Sequence, residues 1–278
     1  MAISSHDRGC AGPHFDRRTC LTLLGAGVAA VLAGCSSGSG HGSARATTLP
    51  PTVTTTLPPL PPIPAARAGA ASVVSKGPAG TSNIAITIDD GYCDECVSAY
   101  IDFAEQSGTH LSFAPNGTYR AIWDKYASRL QDLARVGQVQ IANHTWSHRK
   151  IVGMSNGSIR SEIERNEDWI QQSFGITARP WFRPPFGTHN GQSDDVAAGL
   201  GYTKILLWNG TFGDATPETP EELLALASEH LRPGRVMLGH ANHPVITHLF
   251  PDIQRIISER GLTPVTLDEM FGTSRATG

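Results

Sequence analysis

From about Asn83 the chain alternates short apolar, β-branched runs with longer stretches whose apolar positions recur at helical spacing. Ile84-Ala85-Ile86-Thr87-Ile88 alternates as a strand does. The pattern then predicts a helix over 94–106, a strand over 109–113, a helix over 119–136 and a strand over 139–142. A helix over 158–174, a short strand at Trp181-Phe182, a helix over 194–200 and a strong strand over 203–208 follow. Helices over 220–231 and 251–260 flank a strand at 236–238, and Pro264-Val265 closes the series. Repeated β–α alternation predicts an α/β domain, a parallel sheet with helices outside, either open or closed into a barrel.

Ahead of this domain the pattern changes twice. Arg17-Arg18 precedes an apolar run over 21–33, too short to span a bilayer that needs roughly 20 residues, so it reads as an export signal. The paired arginines resemble a twin-arginine signal. Leu32-Ala33-Gly34-Cys35 resembles the lipobox of bacterial lipoproteins, in which the chain is cut before the Cys and its thiol carries the lipid. Residues 36–46 are Ser/Gly-rich, and 47–64 are dominated by Thr and Pro, a composition that favours extended polyproline II over a core. The expected division is therefore a signal peptide over 1–34, a stalk over 35–79 and one folded domain over 80–275. The expected location is the cell surface, exported and lipid-anchored through Cys35 to the outer face of the membrane.

Composition trims the choices. A formal net charge of −3 on 278 residues excludes a nucleic-acid binder that works through a basic surface. Of the five Cys, Cys10 and Cys20 leave with the signal and Cys35 takes the lipid, so only Cys93 and Cys96 remain in the domain. Their spacing is open to a disulfide or to two free thiols.

The chemistry gathers where strands end. The first strand runs into Asp89-Asp90-Gly91, and the strand at 139–142 runs into Asn143-His144-Thr145-Trp146-Ser147-His148. Trp181-Phe182 leads to Arg183-Pro184-Pro185-Phe186-Gly187, the strand at 203–208 leads to Asn209 through Asp214, and the strand at 236–238 ends at Gly239-His240. Parallel α/β folds build their sites at this carboxyl edge. Two His at i and i+4 with a carboxylate from another strand make the ligand set of a catalytic zinc.

These motifs, in this order, resemble the polysaccharide deacetylases (NodB-homology, carbohydrate esterase family 4), over roughly 83–271. The resemblance implies a distorted (β/α)7 barrel and a metal-dependent hydrolase that cleaves the amide of an N-acetylated polysaccharide. It implies Asp90, His144 and His148 as ligands of a divalent metal, most often Zn2+. Asp89 would be the general base, Arg183 its partner, and His240 the general acid that protonates the leaving amine. A backbone N–H near Phe186 would help to hold the oxyanion. The family's fourth motif departs here: Thr211 stands where an Asp is expected after Trp208, and the segment closes Asp214-Ala215. Asp214 is expected to serve as a partial substitute, with an unpaired His240 as the alternative.

Peptidoglycan N-acetylglucosamine is the favoured substrate, because a stalked surface lipoprotein sits beside that polymer. An O-acetyl polysaccharide esterase and a non-catalytic glycan-binding lipoprotein are the alternatives. Trp146, Trp181 and Phe182 could stack on sugars, although packing is the plainer expectation. No nucleic acid or obligate protein partner is expected.

Overall fold

The alternation in the first predicted strand sorts the molecule into two cores. In the computed structural model, which describes residues 57–273, that strand spans Asn83–Asp90. Ile84, Ile86 and Ile88 belong to a large apolar cluster shared with helical residues such as Val97, Ile101, Ile163 and Ile170. Ala85, on the opposite face, joins a smaller cluster with Ala114, Ala142, Trp181, Leu206 and Val236. The three alanines leave room for the fully buried ring of Trp181. Burying each of these isoleucines fully contributes roughly 1.5–3 kcal/mol before cavity terms.

Nine strands run through the described residues: β1 (Ser72–Val74), β2 (Asn83–Asp90), β3 (Leu111–Pro115), β4 (Val139–Ile141), β5 (Trp181–Phe182), β6 (Lys204–Leu206), β7 (Gly210–Thr211), β8 (Val236–His240) and β9 (Thr263–Pro264). One sheet runs β4-β3-β2-β8-β7, with β9 against β2, and a second runs β1-β6-β5. All the strand pairings are parallel. A parallel bridge between Asn143 and Phe182 joins the sheets on one side. On the other side Gly77 N donates to Gly234 O at 2.8 Å, beside an isolated antiparallel bridge between Lys76 and Arg235. The strands thus wrap into an uneven parallel barrel.

Helices α1 (Asp94–Ser107), α2 (Arg120–Trp123), α3 (Ala127–Arg135), α4 (Asn156–Phe174), α5 (Gly191–Gly199), α6 (Pro220–His230), α7 (Phe250–Glu259) and α8 (Leu267–Phe271) occur in that order. Ser155 caps α4, and the pairs Asn190–Ser193, Thr219–Glu222 and Thr266–Glu269 form capping boxes on α5, α6 and α8. Leu267 and Met270 of α8 enter the inner core, and the Trp181 indole donates to Asp268 Oδ1 at 2.8 Å.

Two differences from the sequence reading matter, and one alternative it left open is resolved. Ser72–Val74 is a strand of the barrel, although it falls inside the segment read as stalk, so the folded part begins ahead of residue 80. Three residues beside an Ala-rich stretch carry too little periodicity to announce a strand. The predicted helix over 119–136 is broken into α2, a single tight turn and α3. At the break the Trp123 indole donates inward to Asp90 O, while the Asp124 carboxylate takes bonds from Trp169 and Ser173 on α4. Cys93 and Cys96 form a disulfide. The signal segment, the lipobox with Cys35 and the stalk up to 56 lie outside the described residues. No described helix is long and apolar enough to cross a membrane.

Candidate metal and catalytic site

Asp89 and His240 are register partners on adjacent parallel strands, β2 and β8. Asp89 shares its strand face with Thr87, toward the barrel interior. There the fully buried Arg183 meets both, its Nη1 donating to Asp89 Oδ1 and Oδ2 at 3.0 and 2.9 Å and its Nη2 to Thr87 Oγ1 at 2.8 Å. Thr87 Oγ1 in turn donates to Met237 O at 2.6 Å. A guanidinium fixed at both ends in this way holds the Asp89 carboxylate in one orientation.

Asp90 breaks the alternation. Its φ is 67°, in the left-handed region that only Gly and a few polar residues enter readily. Gly91 follows at φ 99°, and a Cβ there would lie 2.3 Å from the Trp123 indole nitrogen. The chain therefore turns tightly under Trp123 and delivers Asp90 toward the loop after β4.

That loop carries His144 and His148, and a set of polar residues shapes it. Thr145 has φ 68°, a strained setting for a β-branched residue. Its N–H donates to Asn143 Oδ1 at 3.0 Å, and its carbonyl accepts from Asn116 Nδ2 at 3.1 Å. Glu162 on α4 accepts from the backbone N–H and the hydroxyl of Ser147, both at 2.8 Å. Asn116, Asn143 and Asn166 are all fully buried and bonded around this turn.

The result places one ligand atom from each of Asp90, His144 and His148 within 4.8 Å of the others, a group that could hold a metal ion. The donor chemistry fits. His144 Nδ1 lies 2.7 Å from the Arg183 carbonyl, which only accepts, so Nδ1 donates and Nε2 keeps its lone pair. His144 Nε2 and His148 Nε2 each lie 3.5 Å from Asp90 Oδ1, a buried oxygen with no hydrogen-bond partner. Imidazole nitrogens converging on an orphaned carboxylate oxygen fit a cation between them.

Electrostatics agree. Burial works against ionising Asp90, yet the bond and charge of His144, then His148 and Asn242, hold its carboxyl well below the usual carboxylate range. Burial, and after it His144, push His148 below its ordinary value and keep it neutral for ligation. Burial also opposes charge on His144, but Asp89 and then Asp90 outweigh it and raise its pKa, the mark of a pocket that favours positive charge.

Across the pocket, Asp214 Oδ1 lies 3.0 Å from His240 Nδ1 and Asp214 Oδ2 accepts the His240 backbone N–H at 2.9 Å. Burial would lower the His240 pKa, but the bond and charge of Asp214 raise it. Phe186, at φ 59° and 63% exposed, sets its ring 4.5 Å from that of His148. His240, His148 and Phe186, together with Trp208 and Leu238, line a cleft of about 370 Å³.

Residues 76–205 match the polysaccharide deacetylase family model. Over that stretch the chain is similar to the polysaccharide deacetylases. A chitin deacetylase of Pestalotiopsis sp is 28% identical over 239 residues, covering 79% of this chain and 78% of that protein. A peptidoglycan-N-acetylglucosamine deacetylase of Bacillus cereus is 23% identical over 214 residues, 72% of each chain. An uncharacterised protein of Streptomyces coelicolor is 31% identical over 137 residues, and the match spans about half of each chain, 47% of this one and 53% of that one. Among solved structures, a family 4 carbohydrate esterase from Streptomyces lividans in complex with acetate is 25% identical, with a TM-score of 0.57 over 65% of this chain and 90% of that one. The fold is the distorted (β/α)7 barrel of these deacetylases.

The structure brings together Asp89, Asp90, His144, His148, Arg183, Asp214 and His240, every site residue read from the sequence. Trp181 and Phe182 do not join them: both are fully buried packing. Trp146 is half-buried with the Arg165 guanidinium 3.8 Å from its ring. Sequence reading missed Asn116, Glu162 and Asn242, which sit on turns or amid helix and carry no periodic signal. Asn143 stood in the motif but without a role.

Proposed function

We propose that this protein is a metal-dependent deacetylase that hydrolyses N-acetyl groups of a cell-surface glycan, with peptidoglycan N-acetylglucosamine the favoured substrate. The observation that carries the reading is that a guanidinium-held carboxylate, Asp89, and a carboxylate-held imidazole, His240, flank one Asp–His–His group. Similarity to the chitin and peptidoglycan deacetylases supports the substrate class.

Asp90, His144 and His148 would hold a divalent cation, with Zn2+ the expected ion, which would supply Lewis acidity for the water and the acetyl carbonyl. Asp89 accepts the proton of the attacking water as its oxygen bonds to the acetyl carbon. Arg183 keeps that carboxylate aimed into the cleft. His240, with Nδ1 engaged by Asp214, presents Nε2 to the leaving nitrogen and protonates it as the C–N bond breaks. The products are acetate and a free sugar amine. A backbone N–H near Phe186 is the proposed second donor to the oxyanion.

The non-catalytic glycan-binding reading loses ground, because Asp89 is present and His240 has its carboxylate. Export by the N-terminal signal and lipid anchoring at Cys35, with a Pro/Thr-rich stalk, are part of the proposal and would set the enzyme beside the wall polymer. The test is acetate release from peptidoglycan, chitin oligomers and acetylated xylan, after chelation and again after Zn2+ is restored. Release from acetylated xylan alone would favour the O-acetyl esterase, and release from none would favour the binding protein.

A further inference from the structure

The two oxygens of Asp90 live in different surroundings. Oδ1 faces both imidazoles and has no hydrogen-bond partner. Oδ2 accepts a 2.7 Å bond from Asn242 Nδ2. Asn242 is buried, two residues beyond His240, and its Oδ1 accepts the Gly91 N–H at 3.2 Å. Backbone bonds flank this contact: Ala241 N donates to Asp89 O at 3.1 Å, and Cys93 N to Ala241 O at 3.3 Å.

The need for such a clamp follows from the backbone. Asp90 and Gly91 both stand at positive φ, so the Asp90 side chain leaves the regular pleat of its strand although its backbone is in register with Pro115. An unrestrained carboxylate can turn about its side-chain torsions and offer a cation one oxygen or two. An amide donor held in the bend just after the neighbouring strand removes that choice, since a hydrogen bond to an ionised acceptor is short and strong. The same amide, through its oxygen, fixes the Gly91 peptide that carries the turn.

We propose that Asn242 is a positioning residue of the metal centre: it occupies Asp90 Oδ2, so that the carboxylate presents Oδ1 alone, and it ties the ligand-bearing turn to the strand that carries His240. This rests on the metal-site reading above. Outer partners that orient a ligand in this way commonly affect metal affinity 10–100-fold when removed.

The test compares the metal-free wild-type chain with Asn242→Ala, Asn242→Leu and His144→Ala. Thermal melts report folding, and competition with a chromophoric chelator reports Zn2+ affinity. Wild type is expected to bind Zn2+ and His144→Ala to lose it. Both Asn242 variants are expected to fold and to bind Zn2+ roughly 10–100-fold more weakly. With Co2+ as the probe, their absorption spectrum is expected to differ from wild type, as the carboxylate is freed to change its mode of ligation. Folded variants with wild-type affinity and spectrum would overturn the assignment, and so would failure of both variants to fold, which would make Asn242 a residue of the fold. If wild type binds no Zn2+, the metal-site reading itself falls, and that shows before any Asn242 variant is compared.

Discussion

Asp214 grips His240 at two points, the ring Nδ1 at 3.0 Å and the backbone N–H at 2.9 Å. It does so from a segment that lacks the family's usual Asp after Trp208. The short strand β7 explains how. Thr211 pairs with Leu238 and Phe212 N donates to Leu238 O, so the chain runs alongside β8 and reaches His240 three residues later. Gly213, at φ 79°, makes the final turn, where a Cβ would lie 2.3 Å from Leu226.

This pairing sets a pH dependence. Although burial opposes it, Asp214 raises the His240 pKa above its ordinary value of about 6.5. An acid works while protonated, so wild-type turnover should fall on the alkaline side at a pH above 6.5. Asp214→Asn should move that limb to lower pH and reduce kcat on the order of 10²-fold, with Zn2+ affinity kept. A pH–rate profile of the two proteins measures both effects.

Base and ligand are separable by substitution. Asp89→Asn should abolish acetate release yet leave Zn2+ bound, because Asp89 is not in the ligand group. His144→Ala should lose both. Metal content after desalting, measured beside activity, checks the pair, and normal metal in His144→Ala would sink the ligand assignment.

Arg183 is a stability residue as well as a partner. It is fully buried and bonded to Asp89 and Thr87. Arg183→Leu would leave Asp89 buried without its counter-charge, which costs about 3–5 kcal/mol. At roughly 2–4 °C per kcal/mol for a domain of this size, calorimetry should record a Tm drop of about 6–20 °C.

The barrel needs a segment that precedes the family match. A chain starting at 76 keeps every site residue but loses β1, whose Ser72, Val73 and Val74 pair with Lys204, Ile205 and Leu206. It should melt lower than a chain starting at 57, with an exposed β6 edge prone to association. Tm and light scattering on the two chains decide this.

The sequence carried the site further than the frame around it. Asp89, Asp90, His144, His148, Arg183 and His240 were legible because each ends a strand within a recognisable run. The Ile84-Ile86-Ile88 alternation likewise gave β2 its place. Residues that act through a single side-chain bond left no such trace. Asn116, Glu162 and Asn242 earn their positions only once β3, α4 and β8 converge on the two ligand turns. Ser72–Val74 and Gly210–Thr211 are too short for periodicity to register, and they hold their places through neighbours distant in sequence. Asp214 was visible as a carboxylate, but its reach to His240 depended on the register of β7.

The most direct test of the account counts acetate and new primary amine in the same sample of N-acetylated peptidoglycan exposed to the Zn2+-loaded chain. The account predicts equal amounts of both, lost with Asp89→Asn or chelation and regained when Zn2+ is returned to the wild type. Acetate without amine, or no release at all from folded, Zn2+-loaded protein, would contradict it.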